Sequence, residues 1–132
     1  MSVQALLQGA VQGALAGHAP LAEALTGVFD APPVRAARPY ALVEEAVLVD
    51  WGTKDMAGRE GRLAVSLFDG GERPERLRAL AGAVEDALAA MPAELGEGWR
   101  VVTLGFVRSR IVRDREGWRG VSEFQVRMLK AG

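Results

Sequence analysis

Three observations predict an α+β fold, an antiparallel or mixed sheet of about four to five strands with two main helices packed on one face. Two stretches carry apolar residues at helical spacing. At least three others show the Val- and Leu-rich runs or strict alternation of strands, and Gly- or Pro-containing turn signals separate the segments.

Val3, Leu6, Leu7, Ala10, Val11, Ala14 and Leu15 form one helical stripe, with Ser2 placed to cap its start and Gly17 to close it. Pro20 opens a second, short helical pattern through Leu25, and a brief extended piece follows at Val28 to Asp30. Pro32, Pro33 and Pro39 then hold the chain extended. Tyr40 to Val49 and Arg62 to Phe68 read as strands. After the turn Asp69-Gly70-Gly71, Pro74 suits the first turn of a helix whose stripe is Leu77, Leu80, Ala81, Val84, Ala87, Leu88 and Met91, stopped by Pro92. Gly96 to Gly98 makes the next turn. Trp99 to Val112 and Trp118 to Leu129 are two further strands joined by Asp114-Arg115-Glu116-Gly117, a polar, glycine-ended hairpin turn. In the last strand Trp118, Gly120, Ser122, Phe124, Val126 and Met128 share one face.

The chain has 132 residues, enough for a single domain spanning 1–132 and too few for two ordinary ones. Its 49% apolar and 25% charged content is that of an ordinary globular protein. The absence of cysteine removes disulfides, thiolate metal sites and a cysteine nucleophile, and His18 is the single histidine, so most catalytic chemistries lose their cast. The opening stretch carries Gln4, Gln8 and Gln12 and lacks the basic and continuous apolar regions of a secretory signal, which suggests a cytoplasmic product. No apolar run approaches the roughly 18 residues of a membrane span. Arginines outnumber lysines fourteen to two, and residues 1–97 carry a net charge of −6 against +5 for residues 98–132. Such asymmetry suits a head-to-tail self-complementary surface, a basic face toward a polyanion, or simply solvated surfaces.

The connection Asp50 to Gly61 is longer than a tight hairpin needs and is expected to form a projecting β-hairpin arm. On it, Trp51, Lys54, Met56 and Arg59 combine the apolar and charged character of contact residues. Arg108, Arg110, Arg113, Arg115 and Arg119 form the strongest basic cluster, on the last hairpin, fit for channel or inter-subunit charge contacts. Glu44, Glu45, Asp50, Asp55, Glu60 and Asp69 offer oxygen ligands, but Glu44 and Glu45 point to opposite strand faces and no histidine joins them. His18 stands at a helix end, where a capping or surface role outweighs catalysis. No glycine stretch ends in the GK[ST] of a phosphate loop. No catalytic residue, metal or cofactor is expected.

Leu6-Leu7, the segment Val28-Phe29-Asp30-Ala31-Pro32-Pro33, Arg38-Pro39-Tyr40-Ala41-Leu42-Val43, Asp50-Trp51-Gly52-Thr53-Lys54 and Trp118-Arg119-Gly120-Val121 together resemble, in order and spacing, the tail completion family of long-tailed phages. That family, once described only as a domain of unknown function, includes tail terminators of phages and gene transfer agents. The resemblance implies a virion structural protein without a reaction. Such a protein forms a ring, usually of six subunits, that caps the head-proximal end of the tail tube and joins it to the head-tail connector. Its implied partners are further copies of itself, the tube protein and the connector, with sequence-independent proximity to channel DNA and no membrane. Two alternatives stay open: a DNA-binding module built on the arginines, and a metal-dependent nuclease-like module using the arm carboxylates.

Overall fold

The structure, a computed structural model, describes residues 1–131. Its order is α1 (Val3–Ala16), α2 (Ala19–Ala24), β1 (Val28–Phe29), β2 (Tyr40–Val43), β3 (Val47–Asp50), β4 (Gly58–Asp69), α3 (Glu75–Ala89), β5 (Glu94–Gly96), β6 (Trp99–Asp114) and β7 (Gly117–Lys130). The fold is α+β, as the periodicities require, but the sheet has seven strands instead of four or five. The extended piece at Val28 to Asp30 is the two-residue β1, and the three-residue β5 is an addition. The other addition comes from a break: the run read as one strand from Tyr40 to Val49 is interrupted at Glu44–Ala46, so β2 and β3 pair separately with β4.

Along the sheet the order is β1-β2-β4-β7-β6-β5, with β3 beside the first half of β4. Only β1 and β2 are parallel; the other pairs are antiparallel. The long strands β4, β7 and β6 form the frame, with Leu63 opposite Phe124 and Phe106 opposite Phe124 from the other side. Strict alternation in β7 then sorts residues between faces. Gly120, Ser122, Phe124, Val126 and Met128 are buried, while Arg119, Val121, Glu123, Gln125 and Arg127 lie on the opposite face.

The helices cover one face only. Leu7, Val11 and Leu15 of α1, Leu21 of α2, and Leu77, Leu80, Val84 and Leu88 of α3 pack on Ala41, Val43, Leu63, Val65, Leu67, Val126 and Met128. Ser2 caps α1 by accepting from the Ala5 N–H at 3.1 Å. Pro74 stands at the N-cap position of α3, one residue before its first turn. His18 stands at the N-cap of α2 and makes no side-chain capping bond there. Gly96, Glu97 and Gly98 all take positive φ at the turn into β6 (104°, 53° and 84°), the reason two glycines flank it.

One edge of the sheet is sealed by side chains. Gln4, Gln8 and Gln12, spaced one turn apart on α1, donate to the carbonyls of Ala46 (2.8 Å), Val43 (3.1 Å) and Val28 (3.0 Å). They satisfy backbone acceptors where β1, β2 and β3 fail to form one continuous edge. The other edge is different. Beyond β6 only β5 pairs, near Trp99 and Arg100, so from Val102 onward the strand has no outer neighbour among the described residues.

Candidate functional site

With one face buried under helices, the open sheet face, the β3–β4 loop and the free edge of β6 are the surfaces left to act. The open face is ordered by charge. Arg119 reaches Glu44 at 3.4 Å, and Glu44 also accepts from Ser66 at 2.8 Å. Arg108 holds Glu123 through two bonds, 2.9 and 3.2 Å, with Arg62 at 3.9 Å from the same carboxylate. Arg127 holds Glu60 at 3.0 Å. These pairs link the chain just beyond β2 with β4, β7 and β6 across the pleat, the cross-strand arrangement that stabilises a solvated sheet. The hydrogen bond from Arg108 keeps the Glu123 carboxyl below, and the same bond keeps the Arg108 guanidinium above, its ordinary value.

Toward the β6–β7 turn the face becomes aromatic. Tyr40 stacks on Phe68 with centroids 4.8 Å apart, Phe29 meets Tyr40 edge-on at 5.7 Å, and both Arg38 and Arg119 lie 5.4 Å over Phe68. Arg38 is the hub. It donates to the Asp69 carbonyl at 3.0 Å, to both oxygens of Asp114 at 3.1 and 3.0 Å, and more weakly to the Trp118 carbonyl at 3.4 Å. Its guanidinium pKa is raised chiefly by the hydrogen bond to Asp114, against the lowering effect of burial. The Asp114 carboxyl is correspondingly lowered, first by Arg38. Buried Asp69 accepts from Arg76 and from the Gly70 N–H; burial works to raise its carboxyl, yet these bonds and the charges of Arg76 and Arg38 hold it below the ordinary value.

The basic cluster read from the sequence is thus divided. Arg108, Arg110 and Arg119 share the open face, while Arg113 turns to the helix side and lies 5.1 Å over the Trp118 ring. Arg115 is in the turn. Arg110, Arg113 and Arg115 have no carboxylate within 4.0 Å among the described residues, so only part of the cluster is uncompensated.

The twelve-residue arm is shorter than its sequence suggests. Asp50 and Gly58–Gly61 belong to paired strands, with Arg59 opposite Asp50 on β3 and Met128 on β7. Glycine is required there for close backbone approach: a Cβ on Gly61 would collide with the Val47 carbonyl oxygen. The free loop is 51–57. Trp51 is half-buried at its base, with Arg127 5.3 Å over its ring, and Arg59 donates to Gly58 O at 2.8 Å and reaches Asp50 at 3.5 Å. Thr53 N–H donates to Met56 O at 2.8 Å, closing a tight turn that exposes Lys54 and Asp55 at the tip and leaves Met56 38% exposed. Of the four arm residues singled out, two build the base and two are presented.

The carboxylates considered as metal ligands are dispersed. Glu44, Glu60, Asp50 and Asp69 each face an arginine, Glu45 accepts from Gln4, and Asp55 is at the loop tip. No three of His, Asp and Glu gather around a common point among the described residues. Trp99 is a core residue, 7% exposed. Two groups went unread in the sequence: the glutamine ladder of α1, whose i, i+4 spacing was visible, and the Arg38–Asp114–Asp69–Arg76 network, whose members lie far apart in the chain. No helix among the described residues is long and apolar enough to cross a membrane.

The family profile described as Tail completion protein gp17 matches residues 9–129. No curated protein matches. Among solved structures, the chain is similar to a chain of the virion of a native gene transfer agent particle, with 29% identity and a TM-score of 0.83, covering 98% of this chain and 99% of that one. Since the matched residues run from within α1 to the end of β7, this chain belongs to the tail completion protein gp17 family, structural components of phage-type tails.

Proposed function

We propose that this chain is a tail terminator of a phage or gene transfer agent particle. Copies of it form a ring, of six subunits in this reading, that caps the head-proximal end of the tail tube and joins it to the head-tail connector. The observation that carries the proposal is the end-to-end likeness to a chain of a gene transfer agent virion, over 98% of the chain, within a family of tail completion proteins. The surfaces support it. One sheet face is solvated and ion-paired, and a short loop presents Lys54 and Met56. A ring needs one surface of each subunit to meet a different surface of the next, and this chain offers dissimilar surfaces at its two ends. Trp51, Lys54, Met56 and Arg59 make the inter-subunit or tube contacts, with Trp51 and Arg59 fixing the loop that Lys54 and Met56 extend. Arg110, Arg113 and Arg115 are the arginines left to face channel DNA or a neighbour.

The test is to tag the chain in particles and image them by electron microscopy. Density at the junction of tail and neck is expected, and deletion should leave heads and tails unjoined. A tag elsewhere, or joined particles after deletion, overturns the proposal. Replacing Trp51 and Met56 together by Ser should leave a folded protein that no longer caps tails; normal assembly would remove the loop from the contact.

A further inference from the structure

The free edge of β6 is bordered by a hollow of about 260 Å³ between that strand and α3, lined by Leu88, Leu104, Phe106 and Phe124 with Glu85 and Asp86 on its rim. Its floor is apolar and open. Phe106 is 49% exposed, resting edge-on against buried Phe124 with centroids 5.9 Å apart. The hollow exists because α3 packs over β4 and β7 while β6 continues past it without an outer neighbour. Neither Glu85 nor Asp86 has an ion-pair partner among the described residues. An exposed phenylalanine beside two uncompensated carboxylates calls for an occupant with an apolar tip next to a cation.

Lys54 and Met56 have that character. The turn that carries them is closed by its own backbone bond, Lys54 has no carboxylate partner among the described residues, and Met56 is exposed two positions away. A methionine thioether suits an exposed ring because it adapts its shape and makes favourable sulfur–aromatic contact. The loop cannot serve its own hollow. Gly58 stands opposite Leu129 and Phe106 opposite Phe124, so the two sites are separated by five positions along β7, about 16 Å at strand rise.

We propose that the β3–β4 loop of one copy seats in the hollow between α3 and β6 of the next, Met56 on Phe106 and Lys54 against Glu85 and Asp86. The contact joins two different surfaces of the same chain, so repetition closes a ring or extends a helix. It rests on the ring reading above and specifies where the subunits touch.

The chain contains no cysteine, which permits a direct test. Met56→Cys and Phe106→Cys are introduced together, the particles are purified and gently oxidised, and the protein is separated without reductant. Disulfides need Cα atoms within about 7 Å, so the two sites can join only between copies. A ladder in multiples of 14.1 kDa is expected, and either single variant should give no ladder. Particles that hold the chain at the neck but give no ladder, or a Met56→Cys variant linked instead to another protein, overturn this contact and leave the terminator reading standing. A chain absent from the neck overturns both. As a second measurement, Lys54→Glu should lower functional particle yield by about tenfold or more, and adding Glu85→Lys with Asp86→Lys should restore most of it. No rescue by the reversed charges overturns the pairing.

Discussion

Arg38 and Arg108 provide a comparison in which similar bonds should have unequal worth. Each holds a carboxylate through two hydrogen bonds: Arg38 on Asp114 at 3.1 and 3.0 Å, Arg108 on Glu123 at 2.9 and 3.2 Å. Their surroundings differ, since the Arg38 side chain is 16% exposed and that of Arg108 is 68% exposed. Arg38 also serves the carbonyls of Asp69 and Trp118, so Arg38→Ala leaves a carboxylate unpaired and two acceptors bare at the junction of three chain segments. Breaking a fully buried pair costs about 3–5 kcal/mol. Partial water access to Asp114 lowers this to about 2–3 kcal/mol. For a domain of this size that is a drop in Tm of about 10 °C. Arg108→Ala removes a largely exposed side chain and leaves Glu123 with Arg62 at 3.9 Å, so it should leave Tm unchanged within error. Thermal unfolding followed by circular dichroism, supported by urea midpoints, measures both. Equal shifts for the two variants, or a drop under about 3 °C for Arg38→Ala, would refute the argument that burial and shared carbonyls set the value of these arginines.

Gly61→Ala forces the β3 backbone away from β4 and should cost about 2 kcal/mol in urea unfolding; an unchanged midpoint would show that β3 is not held where Gly61 places it. The Asp69 and Asp114 carboxyls are both lowered in the fold, so their contribution is full above the unfolded carboxylate value near ~3.9 and is lost as pH falls through their lower folded values. Urea midpoints of the wild type should therefore fall below about pH 4, and Asp69→Asn should be less stable at pH 7 but show a shallower acid decline; parallel curves would contradict this. Because Arg108, Arg119 and Arg127 are engaged by carboxylates, duplex DNA affinity should be weak, with a log–log salt slope no steeper than about −3, the value for three phosphates. A slope near −6 would show that the ion pairs open for phosphate.

Elements with a strong period were legible. The stripes of α1 and α3 and the alternation of β7 each bury the residues their spacing puts on one face, because a helix or strand that covers a core leaves its repeat in the sequence. Short pieces were not. Glu94–Gly96 has no pattern to read and pairs only because the turn at Gly96–Gly98 folds it onto Trp99 and Arg100. Gly58 and Gly61 fall within the connection read as an arm, yet they are ladder positions where two backbones approach too closely for a Cβ. Local sequence cannot separate a glycine that frees the chain from one that admits a neighbour. The Arg38 network was hidden for another reason: its partners are 31 and 76 positions away, and only the pairing of β2 with β4, β4 with β7 and β7 with β6 brings them together.

The charge split between the two parts of the chain takes on a different meaning once the sheet is assembled. Read linearly, −6 against +5 suggests one subunit attracting the next. In the fold, much of that attraction is satisfied internally, because β7 lies beside β4 and its arginines reach Glu44 and Glu60 of the acidic part. Arg100 similarly meets Glu94 across the β5–β6 turn, at 3.9 Å. Charge asymmetry along a chain is therefore weak support for assembly until the intramolecular pairs are removed from it. Beside scattered unpaired charges such as Glu23, Asp30, Arg35, Glu72, Arg78 and Lys130, what remains includes three localised groups: Lys54 and Asp55 at one loop, Glu85 and Asp86 on α3, and Arg110, Arg113 and Arg115 toward the hairpin end of β6. These groups are separated across the molecule and are of opposite sign where the proposed contact would join them. A fully solvated surface gains little from such an arrangement, whereas a heterologous interface uses it to set which edge of one copy meets which loop of the next.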